Sequence, residues 1–282
     1  MVEAHRHDSG GSVGIEFKHV GKTYADGTVA VADFSHHVPS HGTVAFVGSS
    51  GSGKTTLLRM VNRMVDPSRG AVLIDDEDVR ELDKVRLRRR IGYVPQAGGL
   101  LPHRTVVDNV ATVPVLNGMS RRAARSDAAE LLALVGLDQS LAQRYPAQLS
   151  GGQQQRVAVA RALASDPNIL LMDEPFGAVD PIVRRDLQDQ MLRIQAELAK
   201  TIVIVTHDID EAFRLADDVV VLRAGGVVAQ AGSPQSILAS PADDFVRDFV
   251  GADRPGRNLR TVDVDGRRLV VDGEGRPVGV LR

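Results

Sequence analysis

The chain holds 282 residues at a formal net charge of −2, with 34 basic against 36 acidic side chains and no cysteine. That near balance removes the strongly basic field of a nucleic-acid binder, and the missing cysteines remove disulfides and thiolate metal sites. The length allows one large or two modest domains.

The start, M-V-E-A-H-R-H-D-S-G-G-S, lacks the apolar core of a signal peptide, and the longest apolar runs, 202–205 and 219–222, fall far short of a membrane span. The reading is a soluble cytosolic protein whose membrane association comes through partners. Residues 1–14 read as a disordered tail, with His5 and His7 solvated rather than metal-binding. Over 15–24, Ile15 and Phe17 alternate with polar neighbours, the period of a strand; Asp26-Gly27 signals a turn, and 29–31 returns as a second strand. Tyr24 lies just upstream of a glycine-rich stretch, and both adenine stacking and half-burial on a strand stay open for it.

The short apolar run at 43–47 (T-V-A-F-V) predicts a buried strand, and it leads into G-S-S-G-S-G-K-T-T at 48–56. This fits G-x-x-x-x-G-K-[ST], with Gly48, Gly53, Lys54 and Thr55 at the fixed positions. A phosphate chain needs several backbone N–H groups pointing inward, and glycines allow the tight turn and the close approach. A helix N-terminus behind the loop adds partial positive charge. On this pattern Lys54 reaches the β- and γ-phosphates and the Thr55 hydroxyl sits on Mg²⁺. Leu57, Leu58, Val61 and Met64 recur at helical spacing behind it. A chance glycine-rich turn is the rival reading, and the flanking strand and helix argue against it. The stretch predicts binding of a nucleoside triphosphate.

Asp66-Pro67-Ser68-Arg69-Gly70 breaks the chain, and 71–74 reads as a strand. The basic run 86–90 is a solvated helix face, 91–94 a strand ending at Pro95-Gln96, and 97–105 a loop with some mobility. Helical patterns cover 106–113 and 120–135, the second with a stripe of Ala124, Ala128, Leu131, Leu132 and Val135 behind Ser120 as N-cap. Next comes L-S-G-G-Q-Q-Q-R at 149–156, before an alanine-rich helical run. A serine and two glycines at a helix start make either a second anion site or an ordinary capped helix; alone, the stretch favours the ordinary cap.

The strand 169–172 ends in Asp173-Glu174-Pro175. Two carboxylates at a strand's C-terminal edge suit a metal–nucleotide site, one holding Mg²⁺ and the other facing a water. Asp180-Pro181 opens a helix with Val183, Leu187, Met191, Ile194 and Leu198 at 3/4 spacing. Strand 202–205 ends in Thr206-His207-Asp208; a histidine there can donate to a phosphate, although a lone one is more often a surface residue. The pattern of 219–222, Ala224-Gly225-Gly226 and 227–229 is a β-hairpin.

This ordered set, over residues 15–250, resembles the ATP-binding subunit of an ABC transporter. By that resemblance Tyr24 is the adenine-stacking aromatic, and Gly48, Ser49, Ser50, Gly51, Ser52, Gly53, Lys54, Thr55 and Thr56 form the Walker A loop. Gln96 is the Q-loop glutamine. Leu149, Ser150, Gly151, Gly152 and Gln153 form the signature sequence. Asp173 ends Walker B, Glu174 is the catalytic carboxylate, and His207 is the switch histidine. Gly177-Ala178-Val179-Asp180 stands for the D-loop, with Gly and Val where Ser and Leu are commoner.

The resemblance implies an α/β fold of P-loop NTPase type, a RecA-like core with an antiparallel β-subdomain and an inserted α-helical subdomain. The division it suggests is a tail at 1–14, the ATPase at 15–240 with the helical subdomain at about 97–160, and a C-terminal extension at 241–282. ATP and Mg²⁺ are the implied ligands, the metal held by Thr55, Gln96 and, through water, Asp173. Glu174, His207, Gln96 and Lys54 carry the implied catalysis, with Asp180 at the nucleotide. The implied partners are a second ATPase copy arranged head to tail, transmembrane permease subunits and, indirectly, an extracytoplasmic solute-binding protein, with no nucleic acid. That assembly lies on the cytoplasmic face of the cell membrane.

A finer resemblance rests on residues 98–110, 173–181, 205–212 and 244–251, which look like the quaternary-amine uptake branch serving glycine betaine, carnitine, choline or proline betaine. In that branch a pair of CBS domains often follows the ATPase. Here 262–264, 269–271 and 278–281, separated by Asp265-Gly266 and by Asp272-Gly273-Glu274-Gly275, suggest a three-strand meander like a fragment of one CBS unit. The alternatives are an importer of another small solute, such as an amino acid or sulfonate, and a non-transport ATPase of the same class. A kinase or GTPase has no use for 149–153.

Overall fold

The computed structural model describes residues 14–96, 98–177, 179–253, 259–264 and 267–280; the tail with His5 and His7, and Ala97 and Ala178, lie outside the described residues. The strands are β1 (Ile15–Thr23), β2 (Val29–Val38), β3 (Thr43–Gly48), β4 (Arg69–Ile74), β5 (Glu77–Asp78), β6 (Ile91–Val94), β7 (Ile169–Asp173), β8 (Thr201–Thr206), β9 (Asp218–Arg223), β10 (Val227–Gly232), β11 (Arg260–Val264), β12 (Arg267–Val271) and β13 (Pro277–Val280). The helices are α1 (Lys54–Val61), α2 (Lys84–Arg90), α3 (Val106–Val110), α4 (Thr112–Leu116), α5 (Arg121–Leu134), α6 (Gly151–Leu163), α7 (Pro181–Leu198), α8 (Ile209–Leu215), α9 (Pro234–Ala239) and α10 (Asp244–Val250).

Strands β3, β7 and β8 expose no residue, as near-continuous apolar runs require when both faces of a parallel sheet are covered. They lie inside a six-stranded sheet of order β10-β9-β3-β8-β7-β6, parallel except at the β10 edge. Side chains alternate between its faces. Val44 and Phe46 of β3 join one core, together with Phe17, Phe34, Leu57 and Leu58, while Ala45 and Val47 join another with α8, α9 and α10. Rings of Phe17 and Phe34 meet at 5.1 Å and 81°, and Phe34 and Phe46 at 5.4 Å and 73°. The second of these edge-to-face contacts packs the antiparallel sheet β2-β1-β4-β5 onto the parallel one. A third core joins Leu170 and Met172 of β7 to α3, α5, α6 and α7. Helices α3 to α6 are inserted between β6 and β7, in the region read as the helical subdomain.

Several expectations are corrected. The first helix stops at Val61: Asn62 caps it, Arg63 turns to φ 54°, and Met64 is 49 % exposed, so its 3-residue spacing belongs to no helix face. The pattern at 106–113 divides at Ala111 into α3 and α4, and the second strand runs through ten residues instead of three. Beyond residue 240, Val246 and Val250 of α10 are fully buried against Ala45, Val47 and Ile209. The segment expected to be mobile has no regular structure from Gly98 to Thr105, yet polar bonds hold it. Arg161 donates to the carbonyls of Gly99 and Gly98 at 2.6 and 2.9 Å, and the buried Asn109 amide bonds Leu101, Arg104 and Thr105. Strands β11, β12 and β13 form the expected meander, with Leu281 outside the described residues.

Candidate active site

The carboxyl ends of the parallel strands open into the loops that carry the predicted residues, the place where open α/β sheets gather ligands. From β3 the chain passes through Ser49–Gly53 into α1. From β6 it reaches Gln96, from β7 Glu174 and from β8 His207.

In the first loop Gly51 and Gly53 have φ of 81° and 89°, left-handed values that glycine adopts without a Cβ penalty. A Cβ on Gly53 would stand 2.4 Å from the Ala30 carbonyl oxygen, so β2 closes against the loop; at Gly51 the same space is open. Lys54, 5 % exposed, folds its ammonium into the turn and donates to Gly48 O at 2.7 Å, Ser49 O at 2.8 Å and Ser52 Oγ at 3.2 Å. Burial pushes its pKa down, while the charges of Glu174 and Asp173 oppose that shift. Ser49, Ser50 and Gly51 are exposed around it. The Tyr24 hydroxyl is 3.4 Å from Thr56 Oγ1 and the ring is 40 % exposed, with the Lys22 ammonium 5.3 Å from its centroid. Tyr24 therefore borders the loop rather than lying half-buried in a strand.

Asp173, 1 % exposed, divides its two oxygens. Oδ1 accepts from Thr55 Oγ1 at 2.8 Å; Oδ2 accepts from Tyr93 Oη at 3.2 Å and Arg59 Nη2 at 3.4 Å. Glu174 holds the left-handed φ of 46° while its N–H donates to Val205 O at 2.8 Å, and a non-glycine residue kept there is typical of a functional position. Its Oε2 accepts from Gln96 Nε2 at 2.9 Å and lies 3.3 Å from His207 Nδ1. Gln96 is thus brought to Glu174.

The L-S-G-G-Q stretch folds as a capping box: Ser150 Oγ accepts from Gln153 N at 3.3 Å, and Gln153 Oε1 accepts from Ser150 N at 3.0 Å. A Cβ on Gly152 would stand 2.5 Å from Val183 Cγ1, so the start of α6 lies against α7. Ser150, Gly151 and Asp180 are exposed, and among the described residues no hydrogen bond joins 150–153 to 48–56.

Three site residues escaped the sequence reading: Arg59, Tyr93 and Glu211. Glu211, 4 % exposed on α8, has its pKa pushed up to about 8, first by burial and next by the charge of Asp208. A Thr206 hydrogen bond and Arg184 oppose this, and Glu174 adds to it. Asp208 caps α8 by accepting from Asp210 N and Glu211 N at 2.9 and 3.2 Å. Arg184 ties that cap to the preceding loop, lying 3.5 Å from Asp208 Oδ2 and donating to Val179 O at 3.2 Å. Asp-x-x-Glu reads in sequence as a capping box, which hides the burial of the glutamate.

The donor set suits particular groups. Inward amides, a lysine and a helix start fit a polyphosphate. Thr55 and Asp173 are hard oxygen donors, joined at 2.8 Å. That matches Mg²⁺, which is bound by one or two carboxylates with substrate phosphates and water.

A family model described as ABC transporter matches residues 31–177. The chain is 48% identical over 240 residues to the carnitine transport ATP-binding protein OpuCA of Listeria monocytogenes, covering 85% of this chain and 60% of that protein. It is 48% identical over 240 residues to the choline transport ATP-binding protein OpuBA of Bacillus subtilis, covering 85% of this chain and 63% of that protein. It is 49% identical over 264 residues to the glycine betaine uptake system ATP-binding protein YehX of Escherichia coli, covering 92% of this chain and 85% of that one. The chain spans about 60% of the length of the first of these relatives. Among solved structures it resembles dimeric MJ0796, a bacterial ABC transporter cassette, with a TM-score of 0.72 and 36% identity over 78% of this chain and 98% of that one.

Proposed function

The chain belongs to the ABC transporter family, and from that premise we propose that it binds and hydrolyses ATP as the motor subunit of an importer. The observation that carries this is the pairing of the Lys54 loop with the Thr55–Asp173 hydrogen bond at 2.8 Å, next to the Gln96–Glu174–His207 group. Loop amides and Lys54 neutralise the phosphates, and Lys54 exchanges its carbonyl partners for phosphate oxygens. Tyr24 lies where an adenine can stack. Thr55, Gln96 and Asp173 would hold Mg²⁺, which when bound would supply charge stabilisation to the phosphates. Glu174 orients the attacking water and accepts its proton, with Gln96 and His207 fixing that carboxylate and His207 also reaching the γ-phosphate. Positioning and electrostatics supply most of the acceleration, because phosphoryl transfer asks for little covalent chemistry.

Ser150 and Gly152 of the partner subunit close each site, in a head-to-tail dimer with Asp180 near the nucleotide. The likeness to a dimeric cassette supports this arrangement. Among the described residues no helix is long and apolar enough to cross a membrane. In this reading permease subunits hold the dimer at the cytoplasmic face, and an extracytoplasmic binding protein delivers the solute. The names of the relatives support a quaternary amine, that is glycine betaine, carnitine, choline or proline betaine, as the cargo.

Glu174→Gln tests the reaction. ATP binding is retained while turnover falls roughly 10²–10⁴-fold, the usual worth of a general base, and an ATP-dependent dimer appears on a sizing column. Retained hydrolysis would remove Glu174 from its role. For the cargo, ATPase activity of the complex with its permease is measured with each solute; stimulation by an amino acid or sulfonate instead would overturn the quaternary-amine assignment.

A further inference from the structure

Asp173 is the deepest acidic group of the site, and an unrestrained carboxylate rotates about its terminal torsion, which is broad and roughly two-fold. Here the rotation is stopped from outside the nucleotide loop. Tyr93 comes from the middle of β6, where it pairs in register with Leu171, two residues before Asp173 on the neighbouring parallel strand. Its hydroxyl therefore arrives beside the end of β7 and donates to Oδ2 at 3.2 Å. Arg59, on the second turn of α1, brings Nη2 to the same oxygen at 3.4 Å. Oδ1 is left to Thr55 alone among the hydrogen bonds described.

That division has a chemical result. A hydroxyl has one proton to give and two lone pairs to offer. With its proton committed to Asp173 Oδ1, Thr55 Oγ1 presents lone pairs and no proton to a cation. If Oδ2 were free, the carboxylate could turn, and Thr55 would lose the acceptor that sets the direction of its proton.

We propose that Tyr93 and Arg59 are positioning residues that lock Asp173, and through it the Thr55 hydroxyl, in the orientation required to receive Mg²⁺. The proposal rests on the ATP-binding reading above, and the two can fail separately. The experiment uses the full chain and a fluorescent ATP analogue, titrated first in EDTA and then with Mg²⁺ at fixed nucleotide. Tyr93→Phe keeps the ring and removes only the donor. Its Mg²⁺ midpoint should rise roughly tenfold, as expected for losing one hydrogen bond to a charged acceptor, with nucleotide affinity in EDTA unchanged. Arg59→Gln, made at a side chain that is 45% exposed, should shift the midpoint in the same direction. In an Asp173→Asn background the difference between Tyr and Phe at position 93 should vanish, which a packing role for the ring would not produce. A midpoint within twofold of the parent in both variants, or a shift that persists in the Asp173→Asn background, overturns the positioning role. If the parent chain itself does not bind the analogue, the ATP-binding reading falls, and this inference falls with it.

Discussion

Glu211→Gln isolates a single buried proton. With its pKa raised from 4.5 to about 8, the folded chain keeps a proton that the unfolded chain has already released throughout the interval between those values. Because the folded state binds more protons there, stability falls as pH rises from 4.5 towards 8, then levels off once the folded carboxyl ionises. Between about pH 5.5 and about pH 8.5 this linkage is worth about 3 kcal/mol, at 1.36 kcal/mol for each full unit of difference. At 4 % exposure solvent does little to screen it. Glutamine has the same shape and never ionises, so the variant lacks this slope. Urea unfolding of both proteins without nucleotide, at several pH values, gives the difference directly, and groups that titrate alike in both cancel. The variant should gain on the parent by about 3 kcal/mol across the window. Parallel pH dependences would show that Glu211 is ionised in the folded chain near neutral pH and would refute the burial argument.

Two further outcomes follow from the nucleotide loop. Lys54→Ala should abolish the ATP-dependent rise in melting temperature while the nucleotide-free chain melts no lower than the parent by more than a few degrees, since the ammonium it removes is a desolvated one. Gly53→Ala meets both a φ of 89° and a carbonyl oxygen 2.4 Å from the new Cβ, so denaturant unfolding should show a loss of about 1–3 kcal/mol together with weakened ATP binding.

The parts of this molecule that sequence reading reached are those whose physics is local. A glycine loop between a buried strand and a helix, a serine cap with Gln153 at the reciprocal position, and a carboxylate pair at a strand end are all specified within a few residues of chain. Arg59 and Tyr93 carry no such signal. Tyr93 meets Asp173 because β6 and β7 pair in one register, across 80 positions of sequence, and Arg59 because α1 packs beside β7, across 114. Met64 shows the opposite failure: apolar spacing continues after the backbone has turned away at Arg63, so periodicity alone overruns the helix. For α10 the i, i+4 pair Val246 and Val250 is a local sign of the burial that the structure shows.

One oxygen, Oε2 of Glu174, is approached by Gln96 from the β6 side and by His207 from the β8 side. Gln96 leads into the inserted helices, and His207 precedes the cap of α8, to which Arg184 ties the Val179 carbonyl. Displacing either neighbour leaves that oxygen with one of these two contacts, so its orientation depends at once on the loop after β6 and the loop after β8.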